Sequence, residues 1–321
     1  EEMHRALIAG VDPEKIIFEG VGKSNSDLTD AINTNIRQIN VESIEELQLV
    51  DSIADSLNKK PRVGIRVNPD IDAKILDKIS TGRKTDKFGI DFDQLPKICS
   101  LIKSLNNICL KGISCHIGSQ IFELQIFENT FTRMKKGIEI FNSHNLEIKH
   151  LNLGGGFGIS YDNSEKNFNF YNLANLINKF FPDPNFDISF EPGRYLVAEA
   201  GTLITKIITT KINGKINYLI TDAGMQTFLR PALYGTYHKI KSLSQNNKKI
   251  NYTIAGPICE SSDIFYKNIK LSEQKTGNYL AICDVGAYGA VMASNYNSKC
   301  LPAEIMINGN TYNIIRKQEN I

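Results

Sequence analysis

Leu151-Asn-Leu-Gly-Gly-Gly-Phe-Gly158 ends an apolar, β-like run in glycines, and Phe190-Glu-Pro-Gly-Arg194 closes a second such run. Around them, strand-like and amphipathic stretches alternate from the start of the chain to about residue 195. The predicted strands are Ile16–Phe18, Gln38–Val41, Val63–Val67, Gly112–Cys115, His150–Leu153 and Ile188–Phe190. The amphipathic stretches between them include Ile44–Leu57, Leu95–Leu105, Phe131–Phe141 and Leu173–Phe180. Repeated βα units of this kind indicate a parallel sheet covered by helices.

Polar and glycine-rich residues gather where the predicted strands end, at Asn68-Pro69, His116–Ser119, Gly154–Gly156 and Glu191–Arg194. In a TIM barrel this rim carries the chemistry, but a barrel needs eight strands and six are predicted here. The chain also opens in a helix, Met3–Ala9, that should follow a strand. We therefore expect an α/β fold, a TIM (β/α)8 barrel that lacks about two N-terminal strands. A doubly wound open sheet is the alternative, because it tolerates six strands.

The pattern changes after residue 200 to short runs rich in Ile, Thr and Val, separated by turns of Gly, Asn and Lys. These runs are Thr202–Lys211, Ile216–Thr221, Ile250–Ile254, Tyr279–Val285 and Ala303–Asn308. Such spacing is typical of antiparallel strands. We predict two domains, a partial barrel over residues 1–200 and a mainly antiparallel β domain over residues 201–321.

Composition excludes several classes of function. The net charge is +2 and the charged fraction 22%, so no electrostatic argument favours nucleic acid as a partner. No apolar run approaches the roughly 18 residues of a membrane span. The six cysteines form no CxxC pair, which argues against a metal site or a disulfide framework and for reduced thiols in the cytoplasm.

The two motifs quoted first suggest a particular ligand. Glycines let backbone N–H groups approach an anion, and the Arg194 guanidinium is a forked partner for phosphate. The Glu191 carboxylate does not suit a bare phosphate. It suits a ligand with a phosphate at one end and a basic ring nitrogen elsewhere, as in pyridoxal 5′-phosphate. A tight glycine turn and an ordinary strand-end carboxylate are the alternatives.

Six motifs, in order, resemble those of the diaminopimelate decarboxylases, pyridoxal phosphate enzymes with an alanine-racemase-like barrel. They are Cys115–Gln120, Leu151–Gly158, Glu191–Arg194, Leu229–Tyr234, Gly256–Asp263 and Gly286–Gly289, and they span essentially the whole chain. The resemblance implies decarboxylation of meso-2,6-diaminopimelate to L-lysine and CO₂, the last step of lysine biosynthesis. It also implies a homodimer with shared active sites, in which Cys259 and Glu260 reach the partner's barrel.

The resemblance assigns roles to individual residues. Glu191 would pair with the ring nitrogen, His116 would stack on the ring, and Cys259 would return a proton to carbon as the general acid. The cofactor-binding residues implied are His116, Ser119, Gly156, Glu191, Pro192, Gly193, Arg194 and Tyr288. The substrate-binding residues implied are Arg194, Arg230, Tyr234, Glu260 and Tyr288. An inert, buried thiol is the alternative for Cys259, and a purely structural histidine for His116.

One departure from the family pattern is serious. Members carry a Schiff-base lysine on the first barrel strand in a Tyr-Ala-x-Lys-Ala-Asn-like string, and no such string occurs here. Lys23 and Lys87 are poor substitutes because their neighbours match other family segments. We therefore expect an N-terminally truncated chain that is inactive alone, and a non-catalytic fragment stays an alternative. The second alternative function is decarboxylation of ornithine or arginine. The pair Arg230 and Glu260 favours diaminopimelate, whose far end carries both a carboxylate and an ammonium.

Overall fold

The computed structural model describes residues 1–75, 77–161, 168–244 and 246–320. The chain divides into two compact units. The first unit contains the described residues of Glu1–Gly158 and Phe168–Pro192, and the second those of Ile159–Asn167 and Gly193–Ile321. The predicted domain boundary at residue 200 stays a prediction beside this division.

The first unit alternates strands with helices. Its strands are β1 (Ile17–Phe18), β2 (Gln38–Val41), β3 (Arg62–Asn68), β4 (Ile90–Asp91), β5 (Cys109–Ser114), β6 (His150–Gly155) and β7 (Asp187–Glu191). Its helices are α1 (Glu2–Ile8), α2 (Asn25–Thr34), α3 (Ile44–Ser56), α4 (Leu95–Ser104), α5 (Leu124–Ser143) and α6 (Phe170–Phe180).

The main sheet of the first unit is parallel and runs in the order β1-β2-β3-β5-β6-β7, with β4 paired to β3. Apart from the short β4, each strand therefore lies beside its neighbours along the chain. A doubly wound sheet reverses its strand order part-way, whereas a barrel does not. The sheet is accordingly a curled half-barrel, and the predicted barrel class is confirmed.

Burial explains why these segments pair. Every residue of β2 and β6 is buried, as expected for parallel strands covered on both faces. Helix α5 buries Ile126, Phe127, Phe131, Met134, Ile138 and Phe141 along one face. The prediction of Phe131–Phe141 found the centre of this helix, which extends beyond it at both ends.

The strand ends bring the polar residues of the first unit to one edge of its sheet. Glu19 follows β1, Cys115 and His116 follow β5, and Glu191 is the last residue of β7. Because parallel strands end on the same side, side chains more than a hundred residues apart in sequence meet there.

The second unit is mainly antiparallel β, as predicted. Its strands are β8 (Thr202–Asn213), β9 (Ile216–Thr221), β10 (Ile240–Ser242), β11 (Lys249–Ala255), β12 (Ile264–Ser272), β13 (Tyr279–Cys283), β14 (Glu304–Asn308) and β15 (Thr311–Arg316). Two short helices, α7 (Gly193–Val197) and α8 (Arg230–Tyr234), belong to it. Six strands form one sheet, β10-β13-β8-β9-β11-β12, in which only β9 and β11 are parallel, and β14 and β15 form a hairpin.

The core of this sheet is formed by Ile207, Leu219, Phe228, Ile254 and Leu280, among others. Within the described ranges, no helix of either unit is long and apolar enough to cross a membrane.

Candidate active site

The glycine run after β6 has a clear packing role. A Cβ atom on Gly155 would overlap the carbonyl oxygen of Glu191, and one on Gly156 would overlap that of Gly118. Gly154 and Gly156 also have positive φ angles of 70° and 85°. The run thus lets the ends of β6 and β7 and the loop after β5 approach one another, as a tight turn does. This close packing does not by itself identify an anion site.

Glu191 is the carboxylate at the end of β7. Its Oε1 accepts a hydrogen bond of 2.7 Å from Asn152 Nδ2, and its Oε2 lies 3.4 Å from His116 Nδ1. Burial alone would raise the pKa of Glu191, but the hydrogen bond and charge of His116, with smaller effects of Asn152 and Arg66, bring it below its ordinary value. About a third of the side chain is exposed, so this anion is accessible to a ligand.

His116 has two neighbours at one ring nitrogen. Its Nδ1 lies 3.2 Å from the backbone nitrogen of Gly155, which donates to it, and 3.4 Å from Glu191 Oε2. The first contact needs Nδ1 without a proton, and the second needs Nδ1 with one. A proton at this atom therefore strengthens the link to Glu191 and breaks that to Gly155. Ser119 is half-buried in the same loop as His116.

Glu19, which the sequence analysis did not single out, joins this group. Its Oε1 accepts hydrogen bonds from Asn40 Nδ2 and, at 3.2 Å, from the same Asn152 Nδ2 that binds Glu191. Burial, followed by the charge of Glu191, raises the pKa of Glu19 to about 8. The site of the first unit therefore holds two carboxyl groups linked by one amide.

Two other side chains near this site have structural roles. Cys115 is fully buried, and burial raises the pKa of its thiol to about 12, so it is an inert thiol. The Lys23 ammonium donates to the carbonyl oxygens of Gly20 and Asn40, at 2.6 and 2.7 Å, and to Glu46 at 2.7 Å. Lys23 is thus committed to holding the loop after β1 in place.

In the second unit, two arginines lie among three tyrosines. Arg194 Nη1 donates to the Tyr161 hydroxyl at 2.8 Å, and its Cζ lies 4.9 Å from the centre of the Tyr288 ring. The Arg230 Cζ lies 5.2, 5.7 and 5.9 Å from the ring centres of Tyr161, Tyr234 and Tyr288. Both residues are buried, with Arg194 6% and Arg230 4% exposed.

Arg230 is an uncompensated buried charge. Within the described part of the chain it pairs with no carboxylate, and its Nε donates to His238 Nε2 at 3.3 Å. Burial lowers its pKa, and the charge of Arg194 lowers it further. Burying a cation without an anion is costly, so the arrangement favours binding of an anion such as a carboxylate.

Cys259 and Glu260 lie in a tight turn held by Asp263. The Asp263 carboxylate accepts backbone hydrogen bonds of 2.7 Å from both Met225 and Ile258. A Cβ on Gly256 would overlap this carboxylate, which explains the glycine at the start of the motif. Cys259 is exposed, so the alternative of a buried thiol is wrong, and its role as an acid stays a prediction.

The residues of the first unit fit a pyridoxal cofactor. An accessible carboxylate of lowered pKa suits a protonated ring nitrogen, and the partly exposed imidazole beside it suits the face of a flat ring. The glycines after β6 are packed against neighbouring carbonyl groups, so they are compatible with a phosphate-binding loop but do not identify one. Within the described residues, no group of three His, Cys, Asp or Glu side chains could hold a metal ion.

Comparison with known proteins agrees with this donor set. Residues 1–198 match the family described as pyridoxal-dependent decarboxylase, pyridoxal binding domain. The diaminopimelate decarboxylase of Haemophilus influenzae is 40% identical over 323 residues, covering 100% of this chain and 77% of the relative. That of Aquifex aeolicus is 38% identical over 320 residues, covering 99% and 76%. The chain belongs to the diaminopimelate decarboxylases.

A solved structure of the same family supports the fold. The diaminopimelate decarboxylase of Helicobacter pylori, complexed with L-lysine, superposes with a TM-score of 0.95 at 38% identity, over 99% of this chain and 80% of that one. The barrel class and the β domain predicted from the sequence are therefore those of the diaminopimelate decarboxylases.

The structure groups the predicted site residues within each unit. Glu191 and His116 meet in the first unit, with Gly156 and Ser119 in the loops beside them. Arg194, Arg230, Tyr234 and Tyr288 cluster in the second unit, and Cys259 and Glu260 share one turn there. The sequence analysis missed Glu19, Asn152, Tyr161 and Tyr296, of which Tyr296 donates a hydrogen bond to Glu260 Oε1. Asn152 stands inside the quoted glycine motif, so its position could have been noticed.

Proposed function

We propose that this protein is a pyridoxal phosphate-dependent carboxy-lyase that converts meso-2,6-diaminopimelate to L-lysine and CO₂. The observation that carries the proposal is the accessible, anionic Glu191 beside His116 in a chain of this family. Bound pyridoxal phosphate would accept the electron pair that remains on the substrate carbon when CO₂ leaves.

Several residues would hold the cofactor. We assign its phosphate to Ser119, the backbone of Gly156 and Arg194, with the Tyr288 hydroxyl as a further partner. The carboxylate of Glu191 would keep a proton on the ring nitrogen, because a nearby anion favours the protonated form. The adjoining Pro192 and Gly193 would carry the backbone past the ring, and the His116 imidazole would pack against the ring face. These roles follow from residue chemistry and from family membership.

Cys259 would supply the proton that the substrate carbon needs after CO₂ leaves. A thiol can act as a general acid when it is accessible, and that of Cys259 is exposed. Asp263 fixes the turn that presents it through two backbone hydrogen bonds. The role requires a thiol at this position, so serine, a much weaker acid, should replace it poorly.

The far end of diaminopimelate carries a carboxylate and an ammonium group. We assign the carboxylate to the buried Arg230 guanidinium, with Arg194, Tyr234 and Tyr288 around it, and the ammonium to Glu260. Ornithine lacks the distal carboxylate, so it would leave the Arg230 charge uncompensated. This difference supports diaminopimelate over an ornithine- or arginine-type substrate.

We further propose a cytoplasmic homodimer with shared active sites, in which Cys259 and Glu260 serve the partner's barrel. The cysteines of the described residues are all free thiols, which supports a reducing compartment. In a shared site, mixing Glu260→Ala with Glu191→Ala should restore part of the activity that each variant lacks, because some heterodimers regain one complete site.

The decisive experiment is a decarboxylation assay of the full-length protein with pyridoxal phosphate present, because residues 1–321 alone contain no Schiff-base lysine string and are expected to be inactive. We expect L-lysine and CO₂ from meso-diaminopimelate, and at least tens-fold lower kcat/KM with ornithine or arginine. Glu191→Ala should abolish turnover, whereas Glu139→Gln, on an exposed position of α5, should not change it. Equal turnover of ornithine would contradict the assigned substrate, and the absence of turnover with all three would contradict the enzyme assignment.

A further inference from the structure

A chain of hydrogen bonds crosses the first unit and ends at Glu19. Ser189 Oγ lies 2.7 Å from His150 Nε2, and His150 Nδ1 lies 3.1 Å from Gln38 Oε1. Gln38 Nε2 donates to Asn40 Oδ1 at 2.6 Å, and Asn40 Nδ2 donates to Glu19 Oε1. Burial lowers the pKa of His150 to about 4, so its ring is neutral and carries one proton. With that proton on Nδ1, every donor in the chain points towards Glu19.

A second amide, that of Asn152, also donates to Glu19. The Gly154 backbone N–H donates to Asn152 Oδ1 at 3.0 Å, which fixes the amide so that its Nδ2 faces the carboxyl groups. Asn152 Nδ2 then donates to Glu191 at 2.7 Å and to Glu19 Oε1 at 3.2 Å. The two carboxyl groups thus share one donor side chain.

The two carboxyl groups are not equally supported as anions. Glu191 has the imidazole of His116 at 3.4 Å in addition to Asn152. Glu19 Oε2 is buried and has no hydrogen-bond partner among the described residues. The cation nearest to it, Arg66 Nη1, lies 3.9 Å away and is only 2.8 Å from Glu42 Oε1.

The charges that face Glu19 mostly oppose its ionisation. Glu191 on β7 and Glu42 after β2 both raise its pKa, whereas Arg66 on β3 lowers it, and burial outweighs each of these charges. The nearby Cys115 thiol remains protonated, and the His116 imidazole pairs with Glu191. When two carboxyl groups share a site, repulsion between their negative charges disfavours ionisation of both, so one of them keeps a proton.

We propose that Glu19 is a positioning residue of this site, a neutral carboxylic acid that leaves Glu191 as the single anion and, through Asn152, fixes the Glu191 carboxylate. The proton resides on Oε2, because Oε1 already accepts two amide hydrogen bonds. The catalytic consequence rests on the proposed function, since Glu191 would be the partner of the cofactor ring nitrogen.

The protonation state can be measured without the cofactor. Infrared spectra of the protein with isotopically labelled glutamate carboxyl groups should show, near neutral pH, the C=O stretch of one protonated carboxylic acid. Glu19→Gln should remove this band, and the exposed Glu139→Gln should leave it. Absence of the band in the unchanged protein, or its survival in Glu19→Gln, would overturn the proposal.

The positioning role has its own readout in the cofactor-loaded protein. Glu19→Ala should lower kcat roughly tenfold or more with little change in KM, since it loosens Asn152 and Glu191. Glu19→Gln, which resembles the neutral acid, should recover a large part of this loss. If Gln and Ala are equally impaired, Glu19 acts as an anion and the proposal is wrong. A protein with the infrared band but no decarboxylation would instead contradict the proposed function alone.

Discussion

The Tyr296 hydroxyl donates a hydrogen bond of 2.5 Å to Glu260 Oε1. The Ser262 hydroxyl donates to the other carboxylate oxygen, Oε2, at 3.0 Å. These hydrogen bonds, that of Tyr296 first, lower the pKa of Glu260. No cation pairs with this carboxylate within the residues that the structure describes. Glu260 is therefore an anion held by two neutral donors, an arrangement suited to receiving an ammonium group.

Removal of the Tyr296 hydroxyl should weaken substrate binding. We expect Tyr296→Phe to raise KM for diaminopimelate roughly three- to tenfold with little change in kcat, because the Glu260 carboxylate would lose one of the donors that orient it. Steady-state kinetics measure both constants. Tyr312→Phe, on an exposed tyrosine of β15, is the matched control and should change neither. An unchanged KM in Tyr296→Phe would show that Glu260 needs no such support.

Arginine and lysine should not be interchangeable at position 230. Arg230 is 4% exposed and sits among tyrosine rings, so its planar fork suits a carboxylate better than an ammonium would. Loss of one partner of a buried charge pair costs roughly 2–5 kcal/mol. We expect Arg230→Lys and Arg230→Ala each to lower kcat/KM for diaminopimelate at least tens-fold while the cofactor still binds.

The control for Arg230 is the exposed Arg5 of α1, where Arg5→Lys should have no effect. Cofactor binding is followed by absorbance in every variant. Full activity in Arg230→Lys would contradict the role of the guanidinium fork, and loss of cofactor binding would move Arg230 from the substrate to the cofactor.

Local sequence patterns were sufficient for much of the fold. Six strands of the parallel sheet were predicted because buried strands form apolar runs, whereas the two-residue strand β4 was missed. Helix α2, by contrast, was missed, since only Leu28, Ala31 and Ile32 of it are buried and the rest is polar. Its start was nevertheless readable, as Ser24 and Asp27 form a capping box. Strand β12 was missed because Lys267 and Asn268 interrupt its apolar residues.

The site was predictable only as separate motifs. Glu191 and His116 each belong to a short motif whose residues alone suggest their roles. The structure places His116 Nδ1 3.4 Å from Glu191 Oε2. The link between Glu19 and Glu191 depends on pairing of strands far apart in sequence, with Asn152 lying 133 residues after Glu19. No local sequence pattern extends over a separation of this length. The sequence of the glycine run predicts either an anion site or a turn. Its close packing depends on β7 lying beside β6, a pairing that the local sequence does not reveal.

Lys23 should not become attached to the cofactor. Its ammonium already donates to three oxygens and its side chain is 1% exposed, so freeing it would break a buried network. We expect borohydride treatment of the cofactor-loaded protein, followed by peptide mapping, to find no pyridoxyl group on Lys23. Lys23→Met should lower the free energy of unfolding by roughly 3–5 kcal/mol, because Glu46 loses its buried partner. A pyridoxyl group on Lys23 with turnover would contradict the structural role.

Acid should destabilise the first unit through His150. Burial, with a smaller effect of the Arg37 charge, lowers the pKa of His150 from 6.5 to about 4. As the pH falls, His150 therefore takes up a proton near pH 6.5 in the unfolded chain but only near pH 4 in the folded protein. The stability contribution of the neutral ring is complete above pH 6.5 and is lost as the pH falls towards 4, by at most about 1.4 kcal/mol per pH unit.

Denaturant unfolding across this range should show this dependence of stability on pH. The variant His150→Gln should reduce the slope, whereas His4→Gln, on an exposed histidine, should not. An unchanged slope in His150→Gln would mean that the acid sensitivity arises elsewhere, for example at the buried His238, whose pKa burial also lowers to about 4.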